Sequence, residues 1–195
     1  MVNDNQNILV ILSSPSGVGK TTLTKKIQQK YSSLKLSVSH TTRAARSNEV
    51  DGVDYYFVSQ EKFEKLIKEK KFYEYAKIFN NYYGTLKTNV DENIKKNDIL
   101  FDIDWQGTKQ LSEHTNLNLL KIYLITDSKK ELKKRLIKRN QNSPEEVEYR
   151  FKAFDEDIKH WKDYDYIIIN KNLEVCFKQL EQIIKSNKQI FSINN

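Results

Sequence analysis

One stretch decides the fold of this chain: Ser14-Pro15-Ser16-Gly17-Val18-Gly19-Lys20-Thr21. It follows the apolar run Ile8–Leu12 and precedes a helical pattern that contains Leu23 and Ile27. A buried strand, a turn of small residues ending in Gly-Lys-Thr, and a helix are typical of a P-loop, whose backbone N–H groups surround phosphate oxygens. We therefore predict an α/β fold, with a P-loop NTPase-type parallel sheet flanked by helices, and a nucleoside triphosphate bound at this turn.

Each residue type in the loop has a physical reason. Gly17 and Gly19 leave room for backbone amides close to phosphate oxygens, and the following helix adds its positive N-terminal end. Lys20 can reach the β- and γ-phosphates, and the Thr21 hydroxyl can bind Mg²⁺. Ser14 stands where the first glycine of the pattern usually lies. The alternative is a turn that only joins a strand to a helix.

Length and composition bound the class of protein. The 195 residues suffice for one well-buried core, and 38% hydrophobic with 30% charged residues fits a globular protein with a solvated surface. We expect no membrane span, no signal peptide and a cytoplasmic location, because the chain has one cysteine, Cys176, and a polar N-terminus. The net charge of +7 comes from scattered lysines, so we expect no nucleic-acid or membrane partner. A monomer and a homodimer both remain open.

The arginines point to two phosphate-binding surfaces. Only five of the 33 basic residues are arginines, and they form two clusters: Arg43 and Arg46, then Arg135, Arg139 and Arg150. Where lysine is the default cation, a retained arginine indicates a need for its planar, bidentate fork, which suits phosphate.

Strand and helix patterns alternate along a single domain. We predict a core of about 1–38 and 88–195, an inserted subdomain of about 39–87, and a small polar lid of about 139–150. Strand patterns cover 34–39 and 98–103, and a helix opens at Ser143-Pro144 and runs to about residue 162. A last helix covers 173–186, and the tail from 188 is expected to be loosely held.

Further motifs make the chain resemble the guanylate kinase family. They are Ser39-x-Thr41-Thr42-Arg43-x-x-Arg46-x-x-Glu49-x-x-Gly52-x-Asp54-Tyr55, Phe72-x-Glu74-Tyr75-Ala76, Asn81-Tyr82-Tyr83-Gly84-Thr85 and Asp102-Ile103-Asp104-x-Gln106-Gly107. With the P-loop they cover nearly the whole chain in the family's order. The resemblance implies Mg²⁺-dependent transfer of phosphate from ATP to GMP, with dGMP as a further expected acceptor.

The resemblance also implies site residues. Catalytic roles fall to Lys20, Arg43, Arg135, Arg139 and Arg150. ATP would contact Ser14, Pro15, Ser16, Gly17, Val18, Gly19, Lys20, Thr21, Thr22 and Asn170. GMP would contact Ser39, Arg43, Arg46, Glu49, Tyr55, Glu74, Tyr83, Thr85 and Asp104. Mg²⁺ would be held by Thr21 and Asp102, and Asp102 fits this role because it ends an apolar strand pattern.

The guanine assignment has a chemical basis. Guanine offers two donors, N1–H and the 2-amino group, beside the O6 acceptor. A carboxylate at Glu74 can accept from both donors, while a hydroxyl of Ser39 or Thr85 donates to O6. Three alternatives remain: a non-catalytic scaffold that binds phosphopeptides, a P-loop kinase for another phosphorylated metabolite, and a nucleic-acid-binding protein. Lys171 departs from the acid that commonly follows Asn170 in the family, which leaves the adenine contacts open.

Overall fold

The structure is a computed structural model that describes residues 7–114, 116–138 and 144–193. The strands are β1 (Leu9–Ser13), β2 (Leu34–Leu36), β3 (His40–Thr41), β4 (Tyr56–Phe57), β5 (Phe72–Ile78), β6 (Asn81–Leu86), β7 (Asp98–Asp102), β8 (Leu119–Ile125) and β9 (Tyr166–Ile169). The helices are α1 (Lys20–Lys30), α2 (Gln60–Lys68), α3 (Lys87–Asn93), α4 (Trp105–Ser112), α5 (Lys129–Lys138), α6 (Pro144–Asp157) and α7 (Leu173–Ile193). A 3₁₀ helix covers Ile158–Asp163.

The central sheet has five parallel strands in the order β2-β7-β1-β8-β9. All five residues of β1 are buried, since helices cover both faces of the sheet. Alternate residues of β1 therefore pack in opposite directions, with Val10 and Leu12 in one apolar cluster and Leu9 and Ile11 in the other. This architecture is the parallel α/β sheet predicted from the sequence.

A second, four-stranded sheet is formed by residues of the predicted insert. Its order is β4-β3-β6-β5, with β5 and β6 joined as an antiparallel hairpin and β3 parallel to β4. Helix α2 packs on this sheet through Phe63, whose ring stacks on Phe72 and Tyr82 with centroids 4.5 and 5.3 Å apart. The excursion is therefore a mixed sheet with its own aromatic core.

Three predicted boundaries were wrong. Strand β2 ends at Leu36, three residues early, and the helix that follows Ser143 ends at Asp157 and continues as the 3₁₀ helix. Ser143 itself, the predicted cap, lies outside the described residues. Helix α7 runs on to Ile193, because its far end is tied to the sheet: Lys188 Nζ donates to Asp98 Oδ2 at 2.6 Å.

Two other sequence expectations concern the interior and the membrane. Cys176 is fully buried in the core, as expected of a small apolar residue. Within the described ranges, no helix combines the length and the apolar character that crossing a bilayer requires.

Asp98 of β7 contacts residues near both ends of the described chain, so a substitution at this position tests how much these contacts stabilise the fold. Its Oδ1 accepts from the backbone N–H of Ile8 at 3.1 Å, and its Oδ2 accepts from Lys188. Asp98→Ala should lower the free energy of unfolding by about 1–3 kcal/mol, because it leaves a buried N–H without an acceptor. Urea unfolding measures this loss. Glu92→Ala, at an exposed helical acid, should stay within about 0.5 kcal/mol. Equal losses in both variants would contradict this role for Asp98.

Candidate active site

A cavity of about 430 Å³ opens at the carboxyl edge of the central sheet, between the P-loop, the second sheet and α6. Ligands of open α/β sheets bind at this edge. The loop reaches it through a left-handed residue, Gly19, with φ of 110°. A Cβ at Gly19 would also lie 2.8 Å from Asn170 Nδ2, so a side chain at this position is excluded by space as well as by backbone conformation.

Lys20 lies at the base of the cavity, where it is held by β7. Its ammonium forms an ion pair with Asp102 and donates to the carbonyl of Ile103 at 3.0 Å. The second oxygen of Asp102 accepts from Thr24 Oγ1 at 3.2 Å. The predicted lysine and the predicted metal-binding acid are therefore brought into direct contact.

Most of the predicted loop residues line the cavity. They are Ser14, Pro15, Ser16, Gly17, Gly19, Lys20, Thr21 and Thr22. The side chain of Val18 is instead fully buried in the core, and the Val18 carbonyl accepts from Asn170 Nδ2 at 2.6 Å. Asn170, expected near adenine, is 5% exposed and supports the loop from behind. It lies outside the cavity lining found among the described residues.

The predicted acceptor-phosphate residues meet on one wall of the cavity. Arg43, Arg46, Tyr55 and Tyr83 all line it. Glu49 connects the two arginines: its carboxylate accepts from Arg43 Nη2 at 2.8 Å and from the backbone N–H of Arg46 at 2.9 Å. Burial alone would raise the pKa of Glu49, but these hydrogen bonds outweigh it and hold the pKa below the usual value. Glu49 thus orients the arginines as an anion.

Glu74 also lines the cavity. It is only 3% exposed, and its Oε1 has no hydrogen-bond partner among the described residues. Burial raises the pKa of Glu74 to about 7; a hydrogen bond from Thr85 opposes the rise, and the nearby charge of Asp104 adds to it. Ser39 Oγ lies 3.3 Å from Thr85 Oγ1 beside this carboxyl group. A buried acid with a free acceptor, next to hydroxyls, can read a ligand that carries both donors and acceptors.

Asp104 stands beside Glu74 at the start of α4. Its Oδ1 accepts from the backbone N–H of Gly107 at 3.0 Å, and its Oδ2 accepts from Gln106 Nε2 at 3.2 Å. Burial raises the pKa of Asp104 as well. The motif analysis gave Gly107 no role, yet a Cβ there would lie 2.5 Å from Glu74 Oε2. A glycine in the first turn of a helix, which costs helical stability, was the signal for this close approach.

Two of the three arginines of the second cluster, Arg135 and Arg150, are described, and both line the cavity. Arg150 Nη1 donates to Ser16 Oγ of the P-loop at 2.7 Å, and Arg135 Nη1 approaches the Val18 carbonyl at 3.5 Å. Arg139 lies outside the described residues, as does the first part of the predicted lid. The two described arginines of the second cluster therefore contact residues of the P-loop.

Further lining residues were given no role from the sequence. Three of them, Ala76, Ile103 and Gln106, stand inside the quoted motifs, and the others belong to none: Lys77, Ile78, Tyr149, Ala153 and Asp157. Tyr149 of α6 also touches the hairpin tip of the second sheet, with its ring centroid 5.1 Å from that of Phe79. The cavity is thus bounded on one side by a contact between α6 and the insert.

Comparison with known proteins identifies the family. A family model described as guanylate kinase matches residues 6–187. A guanylate kinase of Clostridioides difficile is 42% identical over 184 residues, which cover 94% of this chain and 89% of the relative. A guanylate kinase of Rickettsia prowazekii is 41% identical over 185 residues, covering 94% of this chain and 93% of the relative.

A solved structure agrees with these sequence matches. The crystal structure of guanylate kinase from Anaplasma phagocytophilum has a TM-score of 0.78 and 32% identity to this chain, covering 93% of it and 86% of the solved chain. The resemblance drawn from the motifs is confirmed. The chain therefore belongs to the guanylate kinase family.

Proposed function

We propose that this guanylate kinase transfers the γ-phosphoryl group of ATP to GMP at the cavity described above, giving ADP and GDP. The observation that carries the proposal is the buried carboxyl group of Glu74, whose Oε1 has no partner among the described residues, in the same cavity as an intact P-loop with Lys20. One group can read a base and the other can bind a triphosphate.

The base end of the cavity suits guanine. Ionised Glu74 can accept from N1–H and from the 2-amino group, and the hydroxyl of Ser39, which lines the cavity 3.3 Å from that of the buried Thr85, can donate to O6. Adenine has a bare N1 acceptor and would leave the buried carboxylate unpaired, which is a strong penalty. Asp104 adds a second acceptor on the same side.

The acceptor phosphate would bind at the cationic end. Arg43 and Arg46 provide forked donors: Glu49 accepts from Arg43 Nη2 at 2.8 Å and forms an ion pair with Arg46 Nη1 at 3.6 Å, and the hydroxyls of Tyr55 and Tyr83 can donate to the same phosphate. Because the acids Glu74 and Asp104 line the same cavity, GMP would be oriented by charge as well as by shape.

The donor site would be the P-loop. The loop amides and the N-terminus of α1 would surround the ATP phosphates, and Lys20 would neutralise charge on the transferred group. Arg135 and Arg150 would approach from the lid. In this proposal the chain is a single domain with a core of about 1–38 and 88–195, a GMP-binding insert of about 39–87 and a lid of about 139–150.

Thr21 and Asp102 fit a Mg²⁺ ion. Both present oxygen, the donor atom that Mg²⁺ prefers, and Asp102 lies next to Lys20 where phosphates would enter. Among the described residues no group of three or more His, Cys, Asp or Glu side chains could hold a metal, which suits an ion that binds mainly through substrate phosphates and water. When bound, Mg²⁺ would neutralise charge on the phosphates of ATP.

No general base is needed for this reaction. The attacking oxygen belongs to a phosphate monoester, which is largely ionised near neutral pH. The chain would therefore act by aligning the two phosphates, by neutralising charge and by excluding water through closure of insert and lid.

A panel of acceptors tests the proposed function. With ATP and Mg²⁺, GMP and dGMP should give ADP, while AMP, CMP and UMP should give little, measured side by side in a coupled ADP-release assay. Lys20→Met should lower kcat by at least about 100-fold, because a main cation facing the transferred phosphoryl is lost. GMP should still raise the Tm of this variant. ADP release that is equal for all acceptors, or absent for all, would exclude the proposal.

The pKa of Glu74 predicts a pH dependence. Its ionised form accepts from guanine, so kcat/KM for GMP should fall as pH decreases through about 7. Glu74→Gln should lower kcat/KM for GMP by about 100-fold, since two hydrogen bonds to a charged acceptor are weakened. The variant should also lose the inflection near pH 7 and keep only the titration of the GMP phosphate. A wild-type inflection that persists in Glu74→Gln would rule out this assignment.

A further inference from the structure

The indole ring of Trp105 is clamped between two residues: Asp157, which lines the cavity, and His160, which is not among the lining residues described. Its Nε1 donates to Asp157 Oδ1 at 3.1 Å, and its ring stacks on His160 with centroids 3.7 Å apart and planes 7° from parallel. Asp157 is the last residue of α6, and its carbonyl accepts from the hydroxyl of Tyr123 at 2.6 Å. Because Tyr123 is a buried residue of β8, the clamp is anchored to the central sheet.

Trp105 is also the first residue of α4, the helix on which the base end of the cavity depends. Asp104 directly precedes it and caps the helix through the N–H of Gly107. Glu74 Oε2 packs against the same turn, at the place where Gly107 lacks a Cβ. The orientation of this first turn therefore positions Asp104 and limits the space open to the carboxylate of Glu74, which β5 carries. Among the described residues that line the cavity, Asp104 and Gln106 appear but Trp105 does not.

The clamp connects this turn to the donor side. Helix α6 carries Arg150, which donates to Ser16 of the P-loop, and the same helix ends at Asp157. A shift of α6 that accompanies filling of the P-loop would therefore reach the indole of Trp105. A carboxylate at this half-buried point is costly, since partial burial raises the pKa of Asp157 to about 6, and the indole N–H offsets part of that cost.

We propose that Trp105 is a positioning residue for GMP recognition, which orients the first turn of α4 and links the position of α6 to the acids that read guanine. It does so through its hydrogen bond to Asp157 and its stack on His160, without touching the substrate. The inference rests on the proposed function, because it assumes that Glu74 and Asp104 bind the acceptor base.

Trp105→Phe is the decisive variant, because it keeps an aromatic ring over His160 and removes the N–H donor. We expect KM for GMP to rise about three- to tenfold while KM for ATP stays within about twofold. Asp157→Ala should show the same split, and the double variant should be no worse than either single one, since both remove one bond. Asp157→Asn keeps an acceptor and should recover most of the GMP affinity. Trp161→Phe, at the exposed second tryptophan, is the matched control.

A fluorescence titration covers the case in which Trp105→Phe fails to fold. In Trp161→Phe, Trp105 is the only tryptophan, and saturating GMP should shift its emission when excited at a wavelength that nucleotides do not absorb. Unchanged emission in an active enzyme, or an unchanged KM for GMP in a folded Trp105→Phe, overturns the inference. If Glu74→Gln keeps guanine selectivity, the proposed base site is wrong. If Glu74→Gln loses that selectivity and a folded Trp105→Phe has an unchanged KM for GMP, only the inference about Trp105 is wrong.

Discussion

Lys20 and Asp102 meet at the carboxyl edge of the central sheet, and most of the site is arranged around their ion pair. Asp102 ends β7, and Lys20 begins α1 after the loop that follows the neighbouring parallel strand β1, in which Leu12 is in register with Asp102. The loop after β1 and the end of β7 must therefore open at the same point. The pair is partly buried, and its two charges balance each other. A polyphosphate that attracts Lys20 would leave the carboxylate of Asp102 without its cation, next to the negative charge of the phosphates. A divalent cation bound between them would compensate both negative charges.

The lining of the cavity carries charges of both signs. Arg43 and Arg46 line it together with the acids Glu74 and Asp104. A ligand that combines an anionic phosphate with a base rich in donors would find a complementary group for each part. Burial increases the selectivity for such a ligand, because a buried carboxylate without a hydrogen-bond donor costs free energy, and a ligand that supplies the donor removes that cost. The raised pKa of Glu74 is the sign of that cost, and it is the kind of strain that binding sites retain at the expense of stability.

Local patterns predicted the elements better than their ends. The apolar run of β1, the Gly-Lys-Thr turn and the alternation of strands and helices are short-range signals, and they led to the correct sheet. The end of α7 was predicted too early. Lys188 in this part of the helix contacts Asp98, which is far from it in sequence, and a local pattern does not show such a contact. Asn170 shows the same limit: the motif predicts a contact with adenine, but only packing reveals that its amide donates to the Val18 carbonyl. The roles of Arg139 and of the other untested site residues stay predictions.

The sequence by itself determined the phosphate-binding loop, the two arginine clusters and the family, because each depends on residue types at short, fixed spacings. The tertiary structure decided which of these groups face one another. It determined the strand order that joins Lys20 to Asp102, the close approach of Glu74 to Gly107, and the clamp on Trp105. The physical reason is that desolvation and hydrogen bonding depend on distances of a few ångströms between residues that the chain separates by tens of positions, and no local pattern records those distances.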